Sequence, residues 1–190
     1  MRPLRRIGMT GVVLACFFFS PPRAQAGDCI ESLLAAEVSL SIPRGLLVAA
    51  ALARRFGAAE PDGGLSPWTV TVRKGDRIRI RVHDDENAAL EDLKARRAGR
   101  APELRLGCVM LLWRAHRGYF QGPGGFLDVD RSVLYFARYI ARLKLRLGSW
   151  TKAVGHSWSE HGWKQRIHAC ETAHQYARLL GHSSPKCALR

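Results

Sequence analysis

The run at 42–57, IPRGLLVAAALARRFG, constrains this chain more than any other stretch. From Leu46 to Ala53 every residue is apolar. A helix that is apolar all round has no face to offer water, so other elements must pack around it. Ala49, Ala50, Ala51 and Ala53 keep it thin, which lets its partners approach closely. Pro43 is read at its first turn, where a missing N–H loses nothing. Ser41 is read as its cap and Gly57 as its C-terminal stop. Arg54 and Arg55 end the apolar run abruptly.

Further elements follow from periodicity. Residues 28–39 read as a helix, with Asp28 as cap, Glu31 at capping-box spacing, and Ile30, Leu33, Leu34 and Val38 as its buried face. Residues 58–66 are loop, with Pro61-Asp62-Gly63-Gly64 as the turn signal. From Trp68 to Val82 the period changes to two on either side of Lys74-Gly75-Asp76, which predicts a β-hairpin. Ile78, Ile80 and Val82 then share one face, and Arg77, Arg79 and Arg81 the other. That arginine row is either an anion grip or a solvated face. Residues 84–97 form an amphipathic helix with acids in its first turn and Lys94, Arg96 and Arg97 in its last, as the helix dipole favours. Residues 104–113, LRLGCVMLLW, make a second core element. The longest helix runs from 128 to 147, with Val133, Phe136, Ala137, Ile140, Leu143 and Leu147 as its apolar stripe and Gly148 ending it. A last helix is expected over 163–180. The fold class is therefore mainly α, in an α+β arrangement with a small β-hairpin.

The first 26 residues read as a signal peptide. Arg2, Arg5 and Arg6 precede a short apolar stretch at 11–20, and Ala24-Gln25-Ala26 is a cleavage site. Residue Cys16 sits in a lipobox-like Val13-Leu14-Ala15-Cys16, but Phe17-Phe18-Phe19 continue the apolar run past it. Export to the periplasm, with cleavage near Ala26 and no membrane span afterwards, is the expectation. The chain of 190 residues carries a net charge of +14. Cleavage would remove Arg2, Arg5, Arg6 and Arg23, leaving 26 basic residues against 16 acidic ones, a net +10. An exported cation of this size suits an anionic wall polymer, membrane surface or acidic protein, and export takes it away from nucleic acid. Cys29, Cys108, Cys170 and Cys187 remain, enough for two disulfides in an oxidising compartment. A link from Cys29 to one of the two C-terminal cysteines is favoured, with Cys108 as a possible buried free thiol. There is no CxxC pair. The histidine pairs His156/His161 and His168/His174 miss the four-residue spacing of one helical face. No metal and no cofactor is expected.

The core-helix run resembles the opening helix of the soluble lytic transglycosylase (SLT) family, approximately V/I-P-P-G-L-L-x-A-I-A-x-V-E-S-G. Further on, Gly107 and Cys108 match the family's G-C-M-Q-I-N-L segment, and 114–120 (RAHRGYF) resembles R-x-H-P-x-A-F. Val133, Tyr135, Ala137, Arg138, Tyr139, Ile140, Leu143 and Gly148-Ser149-Trp150 match N-V-x-Y-A-A-R-F-L-x-x-L-Y-x-x-T-G-S-W. Trp150, Ala153, Val154 and Ser159 match W-x-x-A-V-x-x-Y-H-S. The resemblance covers roughly Ile42 to Ser159. It implies a lysozyme-like SLT domain over 27–163, with 164–190 as a C-terminal helix and tail packed on it.

The departures lie where the family does its chemistry. Its single catalytic glutamate falls on Arg54 and the following serine on Arg55. The cleft glutamine and asparagine fall on Met110 and Leu112, and the substrate-positioning tyrosine and the next histidine on Ser157 and Trp158. Lytic cleavage needs one group that donates and then accepts a proton, and an arginine does neither at physiological pH. Glu60, Glu103 and Glu160 are the candidate replacements, but none sits on the core helix where the family places its acid, and each reads first as exposed surface charge. The resemblance thus implies a degenerate, non-catalytic relative that binds peptidoglycan or an envelope protein complex, such as flagellar or secretion machinery. The alternatives are an active lytic transglycosylase with a relocated acid, and a cationic envelope-binding protein with no role at the wall.

Overall fold

The computed structural model describes residues 26–55, 64–75, 77–97 and 103–187. Of these, 61% are helical, and the rest includes a small antiparallel sheet of four strands. No described helix is long and apolar enough to cross a membrane. The predicted signal segment before residue 26, the turn at 61–63, Gly57 and Glu60 lie outside the described residues.

Helix α1 spans Ala26–Ser39 and starts upstream of the expected Asp28 cap. Helix α2, Leu46–Ala53, is the apolar run, and seven of its eight residues are buried. It starts three residues after Pro43, which sits in the preceding turn with its carbonyl accepting the Leu46 N–H. Ser41 is exposed and does not cap it. The cap is Glu37 of α1, whose buried carboxylate accepts the N–H of Gly45 and of Leu47 at 2.5 Å each. A carboxylate at a helix N-terminus meets unpaired donors and the positive end of the dipole. Gly45, at φ 86°, lets the chain turn into the helix beside it.

The predicted hairpin is present as β1 (Thr69–Lys74) and β2 (Arg77–Val82), paired from Thr69 with Val82 to Lys74 with Arg77. The stretch read as a second core element supplies β3 (Glu103–Leu106) and the short β4 (Leu111–Leu112). The sheet order is β2-β1-β3-β4. Between β3 and β4 the chain turns at Gly107, which has φ 77°. A Cβ there would fall 2.1 Å from the Phe126 carbonyl oxygen, so the backbone passes where no side chain fits.

Helix α3 (Glu86–Arg97) begins with the Asp85 side chain accepting the Ala88 N–H. The short helices α4 (Trp113–His116) and α5 (Gly124–Leu127) lead into α6 (Val129–Leu147). Asp128 caps α6 by accepting the Arg131 N–H, and Gly148, at φ 74°, ends it. Its buried stripe is Val129, Ser132, Val133, Phe136, Ala137, Ile140 and Leu143, the 3.6-residue repeat read in the sequence. Helix α7 (Trp150–Trp158) and helix α8 (Gly162–Leu179) complete the chain as described. Helix α8 lies against both α2 and α7. A Cβ on Gly155 would meet the Gln165 carbonyl oxygen at 2.6 Å, which sets how closely α7 and α8 approach.

All four remaining cysteines are paired, but not as favoured from the sequence. Cys29 joins Cys108, and Cys170 joins Cys187. Cys108 sits in the turn after β3, directly against the start of α1, so it is neither a free thiol nor distant from Cys29. The tail beyond α8 folds back on its own helix, which brings Cys187 to Cys170 rather than to α1.

Candidate functional site

One pocket of about 230 Å³ joins the end of α2, the sheet, the end of α7 and one face of α8. The sheet contributes Ile78 and Ile80 from β2, Thr71 and Arg73 from β1, and Glu103 and Arg105 from β3. Strand register explains that set: Thr71 lies opposite both Ile80 and Arg105, and Arg73 opposite both Ile78 and Glu103. Directly paired residues share a sheet face. Helix α8 contributes Trp163, Lys164, Ile167, His168 and Glu171. The last four fall at i, i+3, i+4 and i+7, one face of a helix.

Arg54 closes the inner end. It is 3% exposed. Its Nη1 donates to the Val109 carbonyl at 2.8 Å, and its Nη2 to the Ser157 carbonyl at 3.1 Å and the Ser157 hydroxyl at 2.8 Å. Its Nε–H is buried without a partner. The guanidinium stands 4.4 Å from the centre of the Phe136 ring. Burial pushes its pKa down to about 9, nearby Arg105 pushes the same way, and Tyr139 opposes them. Carbonyls from the 107–110 turn and from α7 thus hold the guanidinium.

Arg105 stacks its guanidinium 3.6 Å over the Trp158 ring and pairs with Glu103 at 2.6 Å. Burial lowers its pKa, and Glu103 opposes the shift. His168 lies 5.0 Å from the Trp158 ring, stacked on it, with its Nε2 buried and unpartnered. Burial drives its pKa well below the usual value, with Arg54 and Arg105 adding to the effect, so it is neutral at physiological pH.

The structure thus brings Arg54, Ser157 and Trp158 together with the turn that carries Met110. Met110 is buried outside the pocket lining, accepting the Thr71 hydroxyl at its sulfur at 3.5 Å. Leu112 is half-buried in β4, paired with Arg105. Arg55 donates to the Gly64 carbonyl and does not line the pocket. Of the candidate acids, Glu103 lines the pocket but is engaged by Arg105, and Glu160 is exposed outside it.

The arginine row on β2 does not line this pocket. Arg77, Arg79 and Arg81 point to the opposite sheet face, where Arg81 pairs with Asp92 of α3 at 3.1 Å. The pocket-facing side of β2 is its isoleucine side. The cations that line the pocket are Arg54, Arg73, Arg105 and Lys164, against the carboxylates Glu103 and Glu171. Sequence reading missed Arg73, Arg105, Lys164 and His168. The i, i+3, i+4, i+7 face of α8 was the available signal for the last two. The four-residue spacing of Cys170 and His174 was also overlooked. It places His174 beside Cys170, and the Cys170–Cys187 disulfide, which uses both sulfurs, brings the Cys187 sulfur to 3.6 Å from the His174 Nε2.

Away from the pocket, His116 hydrogen-bonds with the Tyr135 hydroxyl at 2.8 Å among Tyr119, Phe120 and Tyr139. Burial, with Arg54 and Arg105 adding to it, lowers its pKa to about 4.

No protein-family model, no curated protein and no solved structure matches this chain.

Proposed function

We propose that this protein is an exported, non-catalytic relative of the SLT lytic transglycosylases, with a lysozyme-like scaffold, that holds peptidoglycan in the pocket beside Arg54. One observation carries the reading. Three of the stretches that resemble the family, the end of α2, the turn carrying Gly107 to Met110 and the end of α7, meet at a single guanidinium. At the position where the family's acid would stand, a fully buried cation donates to carbonyls. Such a group binds and braces but moves no proton. The pocket beside it has the make-up of a binding site: apolar and aromatic walls with a few polar groups placed among them. Two disulfides suit the oxidising compartment that export implies.

The test uses purified sacculi. The protein is expected to pellet with them and to release no anhydromuropeptides. Release that Glu103→Gln or Glu171→Gln abolishes would replace this reading with an active enzyme using a relocated acid. Failure to pellet would leave a cationic envelope protein with no role at the wall, and binding to an envelope protein complex would then be the next partner to test.

A further inference from the structure

We infer that the pocket reads a free carboxylate on the glycan, and so prefers strands from which the stem peptide has been removed. The inference rests on the glycan-binding reading above and names the feature of the glycan that is recognised.

Charge is the first ground. Four cations line the pocket against two carboxylates, and one of those, Glu103, is already paired with Arg105. Arg54 is buried with no carboxylate partner among the described residues, and its Nε–H is unsatisfied. An uncompensated buried charge is costly, and an anion nearby offsets that cost. Arg73 and Lys164 are half-buried at the same pocket and make no ion pair among the described residues. The Lys164 ammonium lies over the Trp163 ring, at 5.4 Å. The buried Nε2 of His168 adds a further unmet polar atom at the inner wall.

Shape is the second ground. Ile78, Ile80, Ile167 and the exposed indole of Trp163 give apolar walls, against which the C–H face of a pyranose ring packs. The ligand that fits is therefore a sugar carrying one carboxylate. On a peptidoglycan strand the ionisable group of the sugars themselves is the lactyl carboxylate of muramic acid. In intact wall it is tied up as an amide to the stem peptide. Hydrolysis of that amide frees it: water adds across the C–N bond, the acyl carbon keeps the oxygen, and the amine leaves with the peptide. Amide hydrolysis is thus the class of reaction that supplies this ligand.

The test compares sacculi before and after treatment with an N-acetylmuramoyl-L-alanine amidase. Stem peptides carry carboxylates of their own, so general attraction to a basic protein favours untreated sacculi. The pocket favours treated ones, by about tenfold for one well-placed charge contact. Arg73→Gln with Lys164→Gln should erase the preference. Arg77→Gln with Arg79→Gln, the same charge change on the opposite sheet face, should keep it. In competition, the N-acetylglucosaminyl–N-acetylmuramic acid disaccharide should displace denuded glycan, whereas diacetylchitobiose, which lacks the lactyl group, should not. This arm stands even if the pocket variants fold poorly. Equal binding to both kinds of sacculi, tighter binding to untreated ones, or equal competition by both disaccharides would overturn carboxylate reading and leave glycan binding intact. A preference that survives the Arg73/Lys164 change would overturn the location. No binding to either sample would overturn the proposed function itself.

Discussion

Arg54 is held by what surrounds it, and that decides what a substitution does. Its side chain ends among the carbonyl oxygens of Val109 and Ser157. A glutamate placed there would point a carboxylate at acceptors and leave both carbonyls without donors. Arg54→Glu is expected to destabilise the fold by roughly 3–5 kcal/mol, measured by denaturant unfolding, and to yield no glycan cleavage. His116 makes the second prediction at this scale. Its folded pKa of about 4 lies below the ordinary 6.5. Between those values the unfolded chain takes up a proton that the folded one refuses, so stability is full above pH 6.5 and falls as the pH drops toward 4. His168, shifted the same way, adds to the loss. Thermal melts across this range should show falling stability, and His116→Phe should flatten the curve.

Between elements, the join of α1 and α2 depends on one carboxylate. Glu37 takes two backbone N–H groups at the start of the apolar helix. Its pKa is raised by burial, and these same bonds oppose the rise. Glu37→Gln offers one acceptor oxygen where two are used, and turns an NH₂ group toward donors. A loss of about 1–3 kcal/mol is expected in chemical unfolding. Sequence reading located α2 but not this cap, because Ser41 was nearer and a buried acid on the previous helix has no local signature. The periodic elements were legible for a physical reason. The α6 stripe and the β1–β2 alternation each repeat often enough to fix which face is buried. Strands β3 and β4 were not, since four and two residues carry no period. The pocket was legible only in part. Arg54, Trp158 and Glu103 were named, but which face of β2 looks into the pocket depends on what stands across from it, and α8 stands across from the isoleucine side.

Across the whole molecule the two disulfides differ in reach. Cys29–Cys108 spans 79 residues and ties α1 to the turn at the edge of the sheet, while Cys170–Cys187 spans 17 and fastens the tail to α8. In the chain-entropy model a loop of the first size stabilises by about 4.5 kcal/mol and one of the second by about 3 kcal/mol. Cys29→Ser with Cys108→Ser should therefore lower the melting temperature more than Cys170→Ser with Cys187→Ser, read by calorimetry. The wall that α8 lends to the pocket carries a consequence for biogenesis. Everything else that lines the pocket, from Ala53 to Trp158, is synthesised before Trp163. The sheet, Arg54 and Trp158 therefore precede in the chain the helix that closes the cleft on that side. The pocket is thus complete only when the last helix docks, and a chain interrupted before α8 would lack both that wall and the element packed against α2 and α7.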